Sequence, residues 1–161
     1  MRLLFGTEER KALEYIIKTS QIAINSTCER RRCGSIIVKD DVIIGSGFNS
    51  PPYNLETQRR CSYAKEAYHR KITDKTCCIH AEQRAIMDAL RNNPDQISGS
   101  SLYFSFVDEF GIVSPAGEPY CTLCSKMALD VGVKEFVLWQ KKGVRVYDTE
   151  EYNLLSFQFE R

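Results

Sequence analysis

Leu13, Ile16, Ile17 and Ile24 recur near helical spacing and predict a first helix running to about Asn25. Thr7 is placed to cap it, and Glu8 and Glu9 occupy the first turn, where the helix dipole favours negative charge. Short β-branched runs follow at 33–39 and 42–48, joined at Asp40-Asp41, the pattern of an antiparallel hairpin with a tight polar turn. Residues 50–77 carry prolines, charges and aromatic residues without a sustained period, so they read as an irregular insertion with some helix near Ser62 to Arg70.

A helical face returns in Ala81, Ala85, Ile86, Ala89 and Leu90 and is stopped by Asn92-Asn93-Pro94, so His80 opens a helix. Residues 101–106 alternate into a strand, 110–119 form a Gly- and Pro-containing loop, and Cys121 to Leu129 reads as a second short helix. A buried strand is expected at 134–139, then a strand or loop at 144–148, and a last helix starting at Thr149-Glu150-Glu151. Gln140-Lys141-Lys142-Gly143 is too short to hold a crossover helix, so a strand after it must run antiparallel to the one before.

Composition narrows the class. With 161 residues and 43% hydrophobic content, the chain suffices for one buried core and is too short for two ordinary domains, so residues 1–161 are read as a single domain. Nothing approaches the roughly 20 apolar residues of a membrane helix, and only Leu3, Leu4 and Phe5 precede the first charges of the helix, so neither export nor insertion is expected. Seven cysteines, an odd number, with a C-x-x-C pair argue for metal over disulfides and for a reducing, cytoplasmic compartment. The net charge of +1 offers no global field for a polyanion, and only Arg30-Arg31-Arg32 and Arg59-Arg60 form local basic clusters. A small anionic substrate fits this balance better than a nucleic acid.

The chemistry concentrates in His80-Ala81-Glu82 and Cys121-Thr122-Leu123-Cys124. One imidazole and two thiolates make a zinc site with its fourth position left for water, whose pKa the metal lowers to about 7; a structural site would close that position with another Cys or His. Glu82 is two residues past the ligand, unneeded for the metal and placed to shuttle protons. H-x-E followed by C-x-x-C is the signature of zinc-dependent nucleobase deaminases. Two helices starting at these ligands would turn their positive dipole ends toward the thiolates.

His80-Ala81-Glu82-Gln83-Arg84-Ala85-Ile86 resembles the H-A-E-x-N-A-I helix opening of the cytidine and deoxycytidylate deaminase superfamily. Cys33-Gly34-Ser35-Ile36-Ile37-Val38 with Gly45-Ser46-Gly47-Phe48-Asn49-Ser50-Pro51 is similar to the paired strands and G-Y-N-G-x-P loop of the deoxycytidylate (dCMP) deaminases, and residues 131–137 to their strand after the second zinc helix. The likeness covers most of residues 8–140. Three positions depart from it: Tyr120 stands between Pro119 and Cys121, Arg84 replaces the usual Asn, and Ser50 replaces the usual Gly.

The resemblance implies an α/β, three-layer α/β/α fold with a mixed central sheet of four to five strands and helices on both faces. In it an antiparallel fifth strand is the free-nucleoside arrangement, as opposed to the nucleotide one. It also implies hydrolysis of a cytosine nucleotide, dCMP or CMP, to the uracil form with release of ammonia, using one Zn2+ and Glu82 as proton shuttle, in a homo-oligomer. Asn49 and Ala81 fall on the substrate side, Asn49 either contacting the sugar or stabilising the turn at Pro51. Arg84 is a candidate phosphate partner, since guanidinium matches that geometry.

A second, structural zinc is a further expectation, from Cys28, Cys61, His69 and Cys78, with Cys77 a rival to Cys78; phage-type relatives carry such an ion at corresponding places, and a loop without an apolar core gains order from a metal clip. Competing readings are a deaminase of a free nucleoside, or of a base in RNA or single-stranded DNA, and a non-catalytic zinc module. Glu82 separates the last from the enzymes.

Overall fold

Successive residues of β2 (Arg32–Lys39) point to opposite sides of a sheet and divide the core between two helical layers. Ile36 and Val38 pack with Tyr15 of α1 (Gly6–Ala23), while Ile37 packs with Ala85, Ile86 and Ala89 of α2 (Ala81–Asn92). The protein, described by a computed structural model over residues 1–159, is therefore three-layered. The remaining elements are β1 (Arg2–Leu3), β3 (Val42–Phe48), β4 (Ser101–Val107), β5 (Val113–Ser114), α3 (Thr122–Asp130), β6 (Glu135–Gln140), β7 (Gly143–Asp148) and α4 (Thr149–Phe157).

The sheet order is β1-β7-β6-β4-β2-β3, with β5 pairing β4. Only the β4–β6 pair is parallel among the described strands, so the sheet is mixed. α1 covers one side with Leu4, Ala12, Val137 and Val144, whereas α2, α3 and α4 cover the other around Ile86, Leu102 and Phe136. Each of these three large side chains is at most 1% exposed, a burial that stabilises by about 1.5–3 kcal/mol apiece. No helix among the described residues is long and apolar enough to cross a membrane.

Two glycines let α2 lie directly on the hairpin. A Cβ at Gly45 would meet the Ala85 carbonyl at 2.4 Å, and one at Gly47 would meet that of Ala81 at 2.6 Å. The backbones touch there, and Asp88 adds a bond by accepting the Ser46 N–H at 2.8 Å. The hairpin turn falls at Asp40 and Asp41, both at positive φ, 46° and 65°, the backbone twist that matches paired strands.

Several expectations are corrected. The sheet has seven strands instead of four to five, because β1 and β5 are two residues long and leave no period in the sequence. The strand after the Lys141-Lys142 turn exists and is antiparallel to β6. No α-helix forms at Ser62–Arg70; three isolated 3-10 turns, Pro52–Asn54, Glu56–Gln58 and Lys65–Ala67, bury none of their residues and so give a longer helix nothing to pack against. Ile17, Ile24 and Leu90 face outward, and α1 buries Ala12, Tyr15, Ile16 and Thr19 instead. Thr7 does not cap α1: Phe5 holds the N-cap position, and the Leu4 N–H bonded to the Val144 carbonyl at 2.9 Å fixes the entry from β1.

Candidate functional site

His80 is the N-cap residue of α2, and Cys121 is that of α3. The start of α2 is braced by Gln83, whose side-chain oxygen accepts the His80 N–H at 3.0 Å. The loop before α3 is held by the sheet: the Trp139 carbonyl accepts the Ala116 N–H at 2.7 Å, and the Gln140 amide donates to the Gly117 carbonyl at 2.9 Å. The two helix starts thus converge, from segments about forty residues apart, on one point.

At that point His80 Nδ1, Cys121 Sγ and Cys124 Sγ form a closed triangle with every side 3.2 Å. Zinc at its ordinary bond lengths spreads one nitrogen and two sulfur donors to about 3.5–3.8 Å, so the set takes the ion with a few tenths of an ångström of outward movement. Among the described residues this is the one group of three or more His, Cys, Asp or Glu whose ligand atoms lie within 4.8 Å of one another. Both thiols are buried.

The electrostatics suit a cation. Contact with the Cys124 thiol, then with His80, brings the Cys121 thiol down to about 4, while the same contact with Cys121 raises Cys124. The neighbouring Cys121 thiolate lifts His80 to about 9. Metal binding would release the protons that the three donors hold. Beside it the Glu82 carboxyl is 7% exposed, and desolvation first, with the Cys121 charge second, pushes it up to about 7. A carboxyl so poised both takes and returns protons near neutrality.

Of these residues His80 and Glu82 line a cleft, together with Ala81, Asn49, Phe104 and Tyr120. Asn49 is buried and largely used by the fold: its Oδ1 accepts from Ser26 and from the Cys33 N–H, each at 2.7 Å, and its Nδ2 donates to the Arg31 carbonyl at 2.9 Å. One amide hydrogen is left for a ligand. Arg84 lies outside the cleft lining, with its guanidinium donating to the Pro51 carbonyl at 2.9 Å and the Ser50 carbonyl at 3.4 Å.

Of the expected second ligand set, Cys28, Cys61 and Cys78 line the same cleft. His69 is exposed, and its Nδ1 accepts the Lys71 N–H at 3.2 Å. Cys77 stands among the thiols instead, 3.5 Å from Cys61 and 3.8 Å from Cys78. Contact with Cys78 brings Cys28 down to about 5. Phe104, readable as an ordinary core residue of its strand, is part of the cleft wall, as are Arg30, Arg31, Arg60, Lys65 and Lys75. The arginine runs were the sequence signal for the first three; the lysines carried none.

Comparison with known proteins agrees with this geometry. The family described as the cytidine and deoxycytidylate deaminase zinc-binding region matches residues 7–140. The chain is 27% identical over 146 residues to the deoxycytidylate deaminase of Saccharomyces cerevisiae, covering 88% of this chain and 41% of that protein. It is 28% identical over 131 residues to that of Mycobacterium phage D29, covering 77% of this chain and 91% of that protein. The chain thus spans under half the length of the yeast relative. Among solved structures, the fold is similar to that of the dCMP deaminase from cyanophage S-TIM5 in complex with dCMP and dUMP, with TM-score 0.56, 24% identity and coverage of 83% and 82% of the two chains. It is also similar to the cytidine deaminase from Burkholderia pseudomallei, with TM-score 0.56, 16% identity and coverage of 87% and 94%.

Proposed function

This chain belongs to the cytidine and deoxycytidylate deaminase zinc-binding family, and from that premise we propose that it hydrolyses the exocyclic amine of a cytosine nucleotide, dCMP or CMP, giving the uracil form and ammonia. The observation that carries the reading is the His80, Cys121, Cys124 triangle with the buried Glu82 carboxyl beside it. The nucleotide form is drawn from the yeast and phage relatives, which are named deoxycytidylate deaminases.

Zinc held by His80, Cys121 and Cys124 supplies Lewis acidity that lowers the pKa of water. Glu82 accepts a proton from the attacking water and delivers it to ring nitrogen 3; it then takes the second proton, from the hydroxyl now on carbon 4, and passes it to the amine as the carbon–nitrogen bond breaks and ammonia leaves. The base enters the cleft that Phe104 and Tyr120 line. Ala81, fully buried at the first helical position, keeps the wall next to the acid small enough for a flat ring. Asn49 directs its remaining amide hydrogen to the substrate while its other bonds hold the loop after β3.

A free-nucleoside substrate is the second reading, favoured by the antiparallel β7. The cations that line the cleft, Arg30, Arg31, Arg60, Lys65 and Lys75, favour the nucleotide instead. The reading also includes a structural ion on Cys28, Cys61 and Cys78, with Cys77 in the fourth place that His69 was expected to fill; the Cys61–Cys77 and Cys77–Cys78 distances support it, and because no three of these thiols lie within 4.8 Å of one another, the ion would have to draw them together. It includes a homo-oligomer, and a reducing cytoplasmic compartment that seven free cysteines support.

The test is ammonia release by the zinc-loaded protein across cytosine, adenine and guanine nucleosides and nucleotides. The proposal expects turnover confined to cytosine compounds; turnover of a purine, or of none, overturns it.

A further inference from the structure

The cleft at Glu82 is lined by one carboxyl, by thiols that include the low-titrating Cys28, and by five cations around its mouth. Arg30 and Arg31 come from the loop before β2, and Arg60, Lys65 and Lys75 come from the 50–77 insertion. Among the described residues none of the five has a carboxylate within 4.0 Å. Arg59, next in sequence to Arg60 but not lining the cleft, is paired with both Glu56 and Glu29. In a chain of net charge +1 this gathering is local, and unneutralised like charges facing one cleft are stable when an anion fills it.

We propose that the loop before β2 and the insertion are two jaws of an anion clamp that grips the phosphate of the substrate, so that the insertion is what makes this a nucleotide site. The proposal rests on the deaminase reading, because the base must sit at Glu82 for its phosphate to reach the mouth. The jaws are joined by side chain to backbone: Arg30 donates to the Cys61 carbonyl at 2.9 Å and the Tyr63 carbonyl at 3.1 Å, and Arg59 to the Thr27 carbonyl at 2.7 Å. Both of the Arg30 bonds leave from one terminal nitrogen, so most of its five N–H donors stay free for a ligand. Cys28, Cys61, Cys77 and Cys78 lie at the junction of the two jaws and line the same cleft.

A long polyanion fits less well than a single phosphate ester. Beyond the mouth, the cleft on the Arg32 side sets Glu29, Asp108 and Glu109 against Arg30, Arg31 and Arg32, and the one on the Tyr68 side sets Asp74 beside Arg60 and Lys75. Carboxylates thus interrupt the cations on both sides, and only the central cleft presents them without one at its rim, whereas an oligonucleotide backbone needs a continuous basic track.

The test compares deoxycytidine 5′-monophosphate with deoxycytidine on the zinc-loaded protein and on a Lys65→Ala, Lys75→Ala variant, with inorganic phosphate as competitor. Losing two charge-assisted contacts raises KM for the nucleotide about ten-fold or more with kcat nearly constant. It weakens inhibition by phosphate and collapses the preference for nucleotide over nucleoside; arginine at both positions restores it. An unchanged nucleotide KM, an equal loss on both substrates, or a single-stranded oligonucleotide outcompeting the mononucleotide overturns the clamp. If the parent deaminates neither compound, the deaminase reading fails, and calorimetry of inorganic phosphate with parent and variant decides the clamp independently.

Discussion

The Arg84 guanidinium donates to the Pro51 carbonyl at 2.9 Å, tying the second turn of the helix that His80 opens to the loop that follows Asn49. Its Nε is buried without a partner, and its plane sits 5.8 Å from the Phe48 ring centre. The residue braces two walls of the cleft against each other. Arg84→Ala should lower stability by about 1.5–3 kcal/mol, the range for a hydrogen bond to a charged group. It should also raise KM as the Asn49 loop loosens. Thermal unfolding and steady-state kinetics check both; unchanged values would mean the loop is held by Asn54, which accepts from the Ser50 hydroxyl, and by Ser26.

Glu82→Gln preserves the shape of the side chain and removes its ability to take a proton. Turnover should fall by about 10²–10⁴-fold, while zinc content, read by metal analysis, stays that of the parent, because the carboxyl is not among the three ligand atoms. A variant as active as the parent would make this a zinc module with no proton relay.

Cys61→Ser and Cys77→Ser each remove a donor from the thiol group at the insertion. If a structural ion sits there, zinc falls from about two toward about one per chain, and the insertion becomes more sensitive to protease, since metal binding contributes to its folding. Cys124→Ser should instead remove the catalytic ion and all turnover. Equal stoichiometry in parent and Cys61→Ser would rule out the structural ion.

Gly45→Ala places a methyl 2.4 Å from the Ala85 carbonyl and 2.7 Å from the Ala89 Cβ, atoms that cannot swing aside. Overpacking of this kind costs about 1–3 kcal/mol. Because the same helix begins at His80, kcat should drop along with the melting temperature. A variant with normal stability and reduced activity, or the reverse, would show that the position of α2 on β3 is not what aligns the site.

How much was legible depends on distance along the chain. The hairpin at Asp40-Asp41, the helix from Ala81 and the zinc donors were readable because each is a local pattern, a few residues whose spacing alone dictates turn, period or ligand geometry. The antiparallel β7 followed from a link too short for anything else. The two-residue strands β1 and β5 were not readable, since two residues carry no period.

By itself the sequence determined the chemistry: which donors would hold a metal, which acid would stand beside it, and on what helices they begin. Tertiary structure decided what surrounds that chemistry. It put Cys77 among the thiols and left His69 in solvent, turned Arg84 to a backbone brace, and gathered Arg30, Arg60, Lys65 and Lys75 about one mouth. The reason is that residues 52–77 have no buried face of their own, so their path is set by long-range contacts such as Arg30 to Cys61 and Arg59 to Thr27, which no local spacing encodes.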